Sequence, residues 1–564
     1  MRSTWQVMLV LAIAVAAAGC GGSRESAEAV SFPAIDGNAI LQHTKILSSD
    51  EYEGRQPGTK GEDLTVAYIT EQFKSAGLKP GNSDGTYIQK VPLVGITPDP
   101  GTSLTFKKGS RQQVLKFKDD VVAWTKHVAE SAEIKNSEVV FVGYGVQAPE
   151  FSWDDYKGAD LEGKTLVMLV GDPPVPDPAD PAKLDPKVFG GRAMTYYGRW
   201  TYKYEIGAKM RAAGILIVHE TGPAGYPFSV VQGKVTEQFD LVTPDKNISR
   251  AAVEGWITLD QAKKLFSLAG QDFDSLHKQA VSRDFKPVPF GVTASMALQN
   301  KLRTIDSRNV VGLYEGSDPK LKNEYVIYTS HWDHFGIGPE INGQRIYHGA
   351  KDNATGIGGL IELARAFNNL PKPPRRSILF LAVTAEEQGL LGSEYYAVNP
   401  IYPLARTLAV INMDALNVNG KTSDLIITGL GNSDLDDFAQ KIAGEQQRVV
   451  KPDPEPEKGG YYRSDHFPFA KAGVPALASG GGSDYIGKPP EWGRQIRDDY
   501  TTNDYHKPSD IVRPDWDMSG AAQDLQYYWM IGYRVAQADK YPEWKPGTEF
   551  KAVREQMLRS AGQP

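Results

Sequence analysis

A chain of 564 residues carries sequence for more than one domain, and 41% hydrophobic with 23% charged residues is the balance of an ordinary globular protein. A formal charge of −7 excludes the basic footprint of a nucleic-acid binder. A single cysteine excludes an internal disulfide framework.

Residues 1–19 have the pattern of a signal peptide. Arg2 supplies the positive start, and Val7 to Ala18 is an apolar run too short to span a bilayer comfortably. The run ends at Ala17-Ala18-Gly19-Cys20, which resembles a bacterial lipobox. The resemblance implies lipidation of Cys20, with residues 20–34, small and polar, as a lipidated tether. It places the protein in the cell envelope of a bacterium, exported and lipid-anchored. Gly21 after the cysteine fits the periplasmic side of the outer membrane.

Residues 35–135 are expected to begin the catalytic unit. Ala39 to Ile46 and Asp63 to Gly77 carry apolar residues at helical spacing, with Gly77 as a stop. Glu53 to Gly58 between them is turn-rich. From about Leu93 to Pro289 the texture changes to short β-like runs, among them 138–144, 164–170 and 214–218, parted by Pro- and Gly-rich loops, with residues 136–290 as the expected inserted domain. No cluster of His, Asp and Glu marks their ends, so this piece is expected to be an inserted β-rich domain without chemistry of its own. His43 and His219 are expected to pack rather than bind.

Residues 291–540 are expected to hold the catalytic domain and 541–564 a tail. Glu324 to Thr329 is a buried-strand pattern ending at Ser330-His331-Trp332-Asp333-His334. Ser377 to Thr384 ends in Ala385-Glu386-Glu387, and Thr407 to Asn412 ends in Met413-Asp414. Gly349 to Gly356, containing Asp352, opens a helix to about Asn368. Ligands bind beyond the carboxyl ends of strands in an open α/β sheet. The expected fold is therefore α/β, a mainly parallel-stranded mixed sheet flanked by helices.

One Asp or Glu after a strand usually caps the next helix. A set that also includes two histidines is harder to dismiss. The candidates His331, Asp352, Glu386, Glu387, Asp414, Asp465 and His506 form such a set, and two imidazoles with three carboxylates are enough for two divalent ions sharing a carboxylate. Such N/O donors favour Zn²⁺, with Mn²⁺ or Co²⁺ as substitutes. Asp333, two residues after His331, is placed to accept that ring's second N–H. Of the two glutamates, one can bind metal while its neighbour acts as general base. Gly480 to Ser483 lacks the lysine and spacing of a phosphate loop and is expected to be a flexible loop bordering the site.

The segments HWD, GAKDNATG, EEQGLLGS, NMD, RSDHFPF and YHKPSD, in this order, resemble the M28 family of co-catalytic zinc peptidases. The stretch around AGILIVHE resembles a protease-associated (PA) domain. The family resemblance implies two zinc ions, His331 and Asp414 on one, Glu387 and His506 on the other, and Asp352 between them. It implies Glu386 as general base, Tyr505 as donor to the oxyanion, and Asp333 behind His331. His334, His348 and His466 match no ligand position. The implied activity is peptide hydrolysis by an aminopeptidase. The alternatives are a carboxypeptidase of the glutamate carboxypeptidase type, a glutaminyl cyclase, and a binding protein without catalysis. A carboxypeptidase for acidic substrates would want arginines, and Arg463, Arg494 and Arg497 lie near the site segments.

Overall fold

Strand Tyr325–His331 lies between Ser377–Val383 and Thr407–Asn412, parallel to both. Thr407–Asn412 in turn runs parallel to Ala476–Gly481. The first three strands are buried at every residue. This is what continuous apolar runs do when both faces of a parallel sheet are covered by helices. The computed structural model describes residues 32–99, 103–233 and 236–562. The expected signal peptide and the lipidated Cys20 fall on residues outside these. Among the described residues no helix is long and apolar enough to cross a membrane.

The sheet is mixed. Asp424–Thr428 runs antiparallel to Ala476–Gly481 at one side. At the other, Val288–Tyr314 runs antiparallel to Ser377–Val383. Helices Gly37–Leu47, Lys60–Ser75, Thr355–Asn368 and Ser519–Gln537 flank it. Lys60–Ser75 stops where expected, with Gly77 at φ 78°. The Gly480 region differs from expectation. Gly480 and Gly481 continue the edge pairing, and the Asp424 carboxylate accepts from the N–H groups of Ser483 and Asp484. Gly482, where a Cβ would collide with Asp424 Oδ1, admits that buried carboxylate closely, rather than giving a free loop.

Val288–Tyr314 is 27 residues long and belongs to two sheets. Its residues from Asn300 onward pair with Ile88–Pro98 in the catalytic sheet. Its first half pairs with Ser103–Lys108 and Ser131–Phe141 in a second sheet. The second sheet therefore starts at Ser103, not at the expected residue 136. Hairpin Ser103–Lys108/Arg111–Lys116 belongs to it, because its partner strand arrives almost 190 residues later. This sheet also has a parallel core, in which Gly214–His219 lies between Thr165–Leu169 and Val253–Thr258.

The two halves share a core. One apolar cluster contains Trp124, Ile215 and Trp256 of the insertion together with Tyr325, Phe467 and Phe550. Tyr196 lies 4.8 Å from Phe467 and 5.9 Å from Tyr462, ring centre to ring centre. From Ala34 onward the chain forms one unit. The expected tail is folded too: Trp544 and Phe550 are buried, and Lys551–Ser560 is a helix.

Candidate metal centre

The carboxyl ends of the three central parallel strands deliver the site. His331 is the last residue of its strand. The neighbouring strand ends at Val383, and Ala385 turns the chain with φ 53° before Glu386 and Glu387. The third ends at Asn412, and Ala415, at φ 56°, turns the chain after Asp414. His506 itself holds φ 57°. Three non-glycine residues in the left-handed region around one cluster indicate backbone strain that the surroundings impose.

Asp352 sits at the centre. Its Oδ1 lies 3.2 Å from His331 Nε2, and its Oδ2 lies 3.3 Å from His506 Nε2. His331 Nε2 also lies 3.3 Å from Asp414 Oδ1, and His506 Nε2 lies 3.1 Å from Glu387 Oε2. Metal–ligand bonds of about 2.0–2.1 Å at a tetrahedral angle place two donor atoms about 3.3 Å apart. Each oxygen of Asp352 thus faces its own histidine–carboxylate pair at co-ligand spacing. His331, Asp352 and Glu387 are buried, whereas Asp414 and His506 open toward solvent, with side chains 28% and 34% exposed.

His334 also brings a ring nitrogen within 4.8 Å of Asp352 and Glu387. Its Nδ1 lies 2.6 Å from Glu387 Oε1, too close for two donors on one ion and right for a hydrogen bond. His334 therefore orients Glu387 from behind. His466 stands apart, edge-on to Tyr461, with burial pushing it down to about 4. His43 is buried between Tyr68 and Glu362.

The charge balance is lopsided. Burial pushes Asp352 up, but hydrogen bonds from His331 and His506 outweigh this and hold it well below the usual carboxylate range. Burial pushes Glu387 up as well, and His506 and His334 bring it down to about 2. His506 is lifted to about 10, burial opposing and Glu387 and Asp352 prevailing. The protein alone needs protons on its imidazoles to hold these carboxylates together. Divalent cations meet the same demand and release those protons, so the residues fit a metal centre.

Glu386 differs from its neighbour. Burial, with Glu387 and Asp414 nearby, raises it well above the carboxylate range despite His331, whose Nε2 is 4.0 Å away. It is a carboxyl that holds a proton readily, as a general base should.

Asp333 does a different job from the one expected. Its carboxylate accepts from the N–H of Glu386 at 3.0 Å and of Glu387 at 3.4 Å. The Nδ1 of His331 faces the main-chain oxygen of Asp333 at 3.2 Å, with the carboxylate at 3.8 Å. One residue thus fixes the imidazole through its backbone and the double-glutamate turn through its side chain. Tyr505 stacks on His506 at 3.7 Å between ring centres. Burial, Asp352 and Glu387 keep its hydroxyl protonated and able to donate.

Other positioning residues are absent from the sequence reading. Asn353, joined to Asp352 by a cis peptide bond, bonds Ser330 Oγ and the Met413 carbonyl, and accepts from Gly356 and Ala415. It ties together the turns that carry His331, Asp352 and Asp414. Asp510 accepts from the N–H of Lys351 and Asp352. Ser464 Oγ donates to Asp414 Oδ2 at 2.6 Å. Arg55, fully buried, donates to the carbonyls of Leu47, Trp332, His348 and Gly349. Gly349 is required there, since a Cβ would lie 2.6 Å from the His334 ring. Arg55 comes from the turn-rich loop, where nothing in the local sequence shows these distant partners.

Residues 309–530 match the family described as Peptidase family M28. The chain is 35% identical over 132 residues to Aminopeptidase NAALADL1 of Mus musculus, covering 22% of this chain and 16% of that one. It is 30% identical over 172 residues to Aminopeptidase YwaD of Bacillus subtilis, covering 30% and 34%. The matched stretches thus span about a sixth and a third of those relatives' lengths. Among solved structures, an aminopeptidase from Aneurinibacillus sp. strain AM-1 aligns at 19% identity with a TM-score of 0.47, covering 90% of this chain and 95% of that one.

Proposed function

With residues 309–530 an M28 peptidase domain, we propose that the protein is a two-zinc aminopeptidase removing N-terminal residues from peptides. The observation that carries this is the pair of Asp352 oxygens, each at co-ligand distance from a separate histidine. His331 and Asp414 would hold one ion, Glu387 and His506 the other, and Asp352 both. Bound there, the ions would polarise the scissile carbonyl and acidify a water. Glu386 takes the proton from the attacking water and hands it to the leaving amine. Tyr505 donates to the oxygen on which negative charge develops. Asp333 and Asn353 keep the turns in place. The relatives named above support release from the amino end over the carboxypeptidase alternative.

The test is a panel of aminoacyl amides and their N-blocked counterparts, with and without a chelator. Turnover of free-amine substrates alone, lost on chelation and restored by Zn²⁺, is expected. Cleavage of N-blocked peptides from the carboxyl end would overturn the aminopeptidase reading. We also infer that residues 1–19 direct export and that Cys20 carries a lipid anchor. Cys20→Ser should move the protein from membranes to the soluble fraction, and unchanged retention would refute the anchor.

A further inference from the structure

The two histidines at the metal centre are held in different ways. His331 Nδ1 faces the main-chain oxygen of Asp333, so a hydrogen bond fixes that ring from behind. His506 has both of its polar contacts, to Asp352 and Glu387, on Nε2. Among the described residues no protein group hydrogen-bonds its Nδ1, and the side chain is partly open to solvent. Nothing polar fixes the plane of that ring.

Other rings do. Tyr505 stacks on the imidazole with 27° between the planes. Phe335 meets it edge-on, 4.7 Å between ring centres and 63° between planes. The row continues from Tyr505 to Tyr500 at 6.1 Å, and Lys351 Nζ lies over the Tyr500 ring at 4.0 Å. The Tyr500 hydroxyl donates to Asp510 Oδ2 at 3.3 Å, and Asp510 holds the N–H groups of Lys351 and Asp352. One end of the row is thereby tied to the backbone of the central aspartate.

The other end is Phe335, and a separate element carries it. Between Phe335 and His348 the chain leaves the catalytic sheet as a hairpin, Gly336–Ile341 with Gln344–Tyr347, that joins neither large sheet. A two-stranded hairpin is marginal alone. Ile337 and Ile341 are exposed, so it adds little to the core. It is pinned at its base instead. Gly336 pairs with Tyr347 there, and a Cβ on Gly54 would collide with the Tyr347 carbonyl and lie 2.9 Å from that of Gly336. The Tyr347 ring stands 6.1 Å from Phe335, and its hydroxyl donates to the Pro339 carbonyl at 3.1 Å.

We propose that Phe335 is a positioning residue, whose ring, presented by the pinned hairpin, keeps His506 and the Tyr505 stacked on it in aim where no hydrogen bond does so. This rests on the two-zinc reading, which makes His506 a ligand and Tyr505 a donor, and adds what holds them.

The test is calorimetric titration of Zn²⁺ into the metal-free, full-length protein, beside kcat and KM of the loaded one. The binding event missing from Glu387→Gln marks the ion shared with His506. Phe335→Ala should weaken that event by about 10- to 100-fold, the usual effect of removing a ligand's outer support, and leave the other event in place. Its kcat should fall by about 10-fold or more with KM little changed. Phe335→Tyr keeps the ring and should restore both, whereas Phe335→Leu, bulk without a ring, should not. Relaxation of carbon-13-labelled histidine gives a reading without zinc. The His506 signal, identified by its absence in His506→Gln, should report a held ring in the parent and in Phe335→Tyr, and a mobile ring in Phe335→Ala. Unweakened binding in Phe335→Ala, equal weakening of both events, or a ring held equally in parent and variant overturns the proposal. So does a Phe335→Leu protein matching the parent, which also carries the test if Phe335→Ala folds poorly. If the parent binds no second Zn²⁺, the two-zinc reading fails, and the His506 relaxation still decides the role of Phe335.

Discussion

The catalytic sheet and the second sheet are built alike and end differently. Both have a core of parallel, fully buried strands, Tyr325–His331 with its neighbours in one and Thr165–Leu169 with Gly214–His219 in the other. Both place charged residues at or beyond the strand ends. In the second sheet those charges are closed by the protein itself. Asp172 accepts from Thr195, and the buried Lys203 near it donates to the carbonyls of Tyr144 and Gly171. Glu220 lies 3.4 Å from His277. In the catalytic sheet no lysine or arginine forms an ion pair with Asp352, Glu386, Glu387 or Asp414 among the described residues. Arg55 lies near, but its donors are held by main-chain carbonyls. The same strand-end grammar makes a scaffold when charges are matched internally and a cation site when they are left for something else to match.

Removing a matched charge should therefore hurt the fold and spare the metal. Burial lowers Lys203 to about 8, with Asp172 and Asp155 opposing, so the ammonium is held by its acidic neighbours. Lys203→Met should cost about 3 kcal/mol of stability, seen by denaturant unfolding, with metal content unchanged. A loss of metal instead would show that the two ends are not independent.

The catalytic end should show its unmet charge only when stripped. His506 in the folded protein sits near 10 against an ordinary 6.5. A raised folded value means that its contribution is full below pH 6.5 and is lost as pH rises toward 10. In the metal-loaded protein the imidazole is a neutral ligand and this dependence disappears. The gap in unfolding free energy between metal-loaded and chelated protein should widen from pH 6.5 to pH 9.5. The change is about 2 kcal/mol after discounting for partial exposure. A constant gap would mean that the histidines do not compensate the carboxylates.

Where the halves join, Glu549 accepts from the Tyr462 hydroxyl at 2.9 Å. Burial, with Asp172 of the insertion adding, raises it to about 8. Its ionisation thus costs stability increasingly from pH 4.5 to 8. Glu549→Gln should match the parent at pH 4.5 and exceed it by about 1 kcal/mol at pH 8. Equal stability at both would place Glu549 in water.

What could be read from the sequence follows the same division. The catalytic strands are unbroken apolar runs that stop at a His, Glu or Asp, so their identity and their ends are written locally. His331, Asp352, Glu387, Asp414 and His506 converge because four of them lie at or just beyond such ends or at a helix start. Contacts made across the fold are not written locally. Arg55 lies in a loop and acts on carbonyls almost 300 residues away. Asn353 looks like an ordinary helix-start residue until its three turns are seen. Asp333 sits at the right spacing for the imidazole, yet its carboxylate is drawn to the Glu386 and Glu387 N–H groups, which only strand pairing brings there. The second sheet's start at Ser103 depends on a partner at Thr293.

The central claim is that two adjacent glutamates divide the work, Glu387 holding metal and Glu386 moving the proton. The most direct measurement is metal content per chain beside kcat for Glu386→Gln and Glu387→Gln. Glu386→Gln should retain two zinc ions while kcat falls by roughly 10²–10⁴, and Glu387→Gln should lose an ion along with activity. Loss of zinc from Glu386→Gln with both ions kept in Glu387→Gln, or near-normal turnover by Glu386→Gln, would contradict the account.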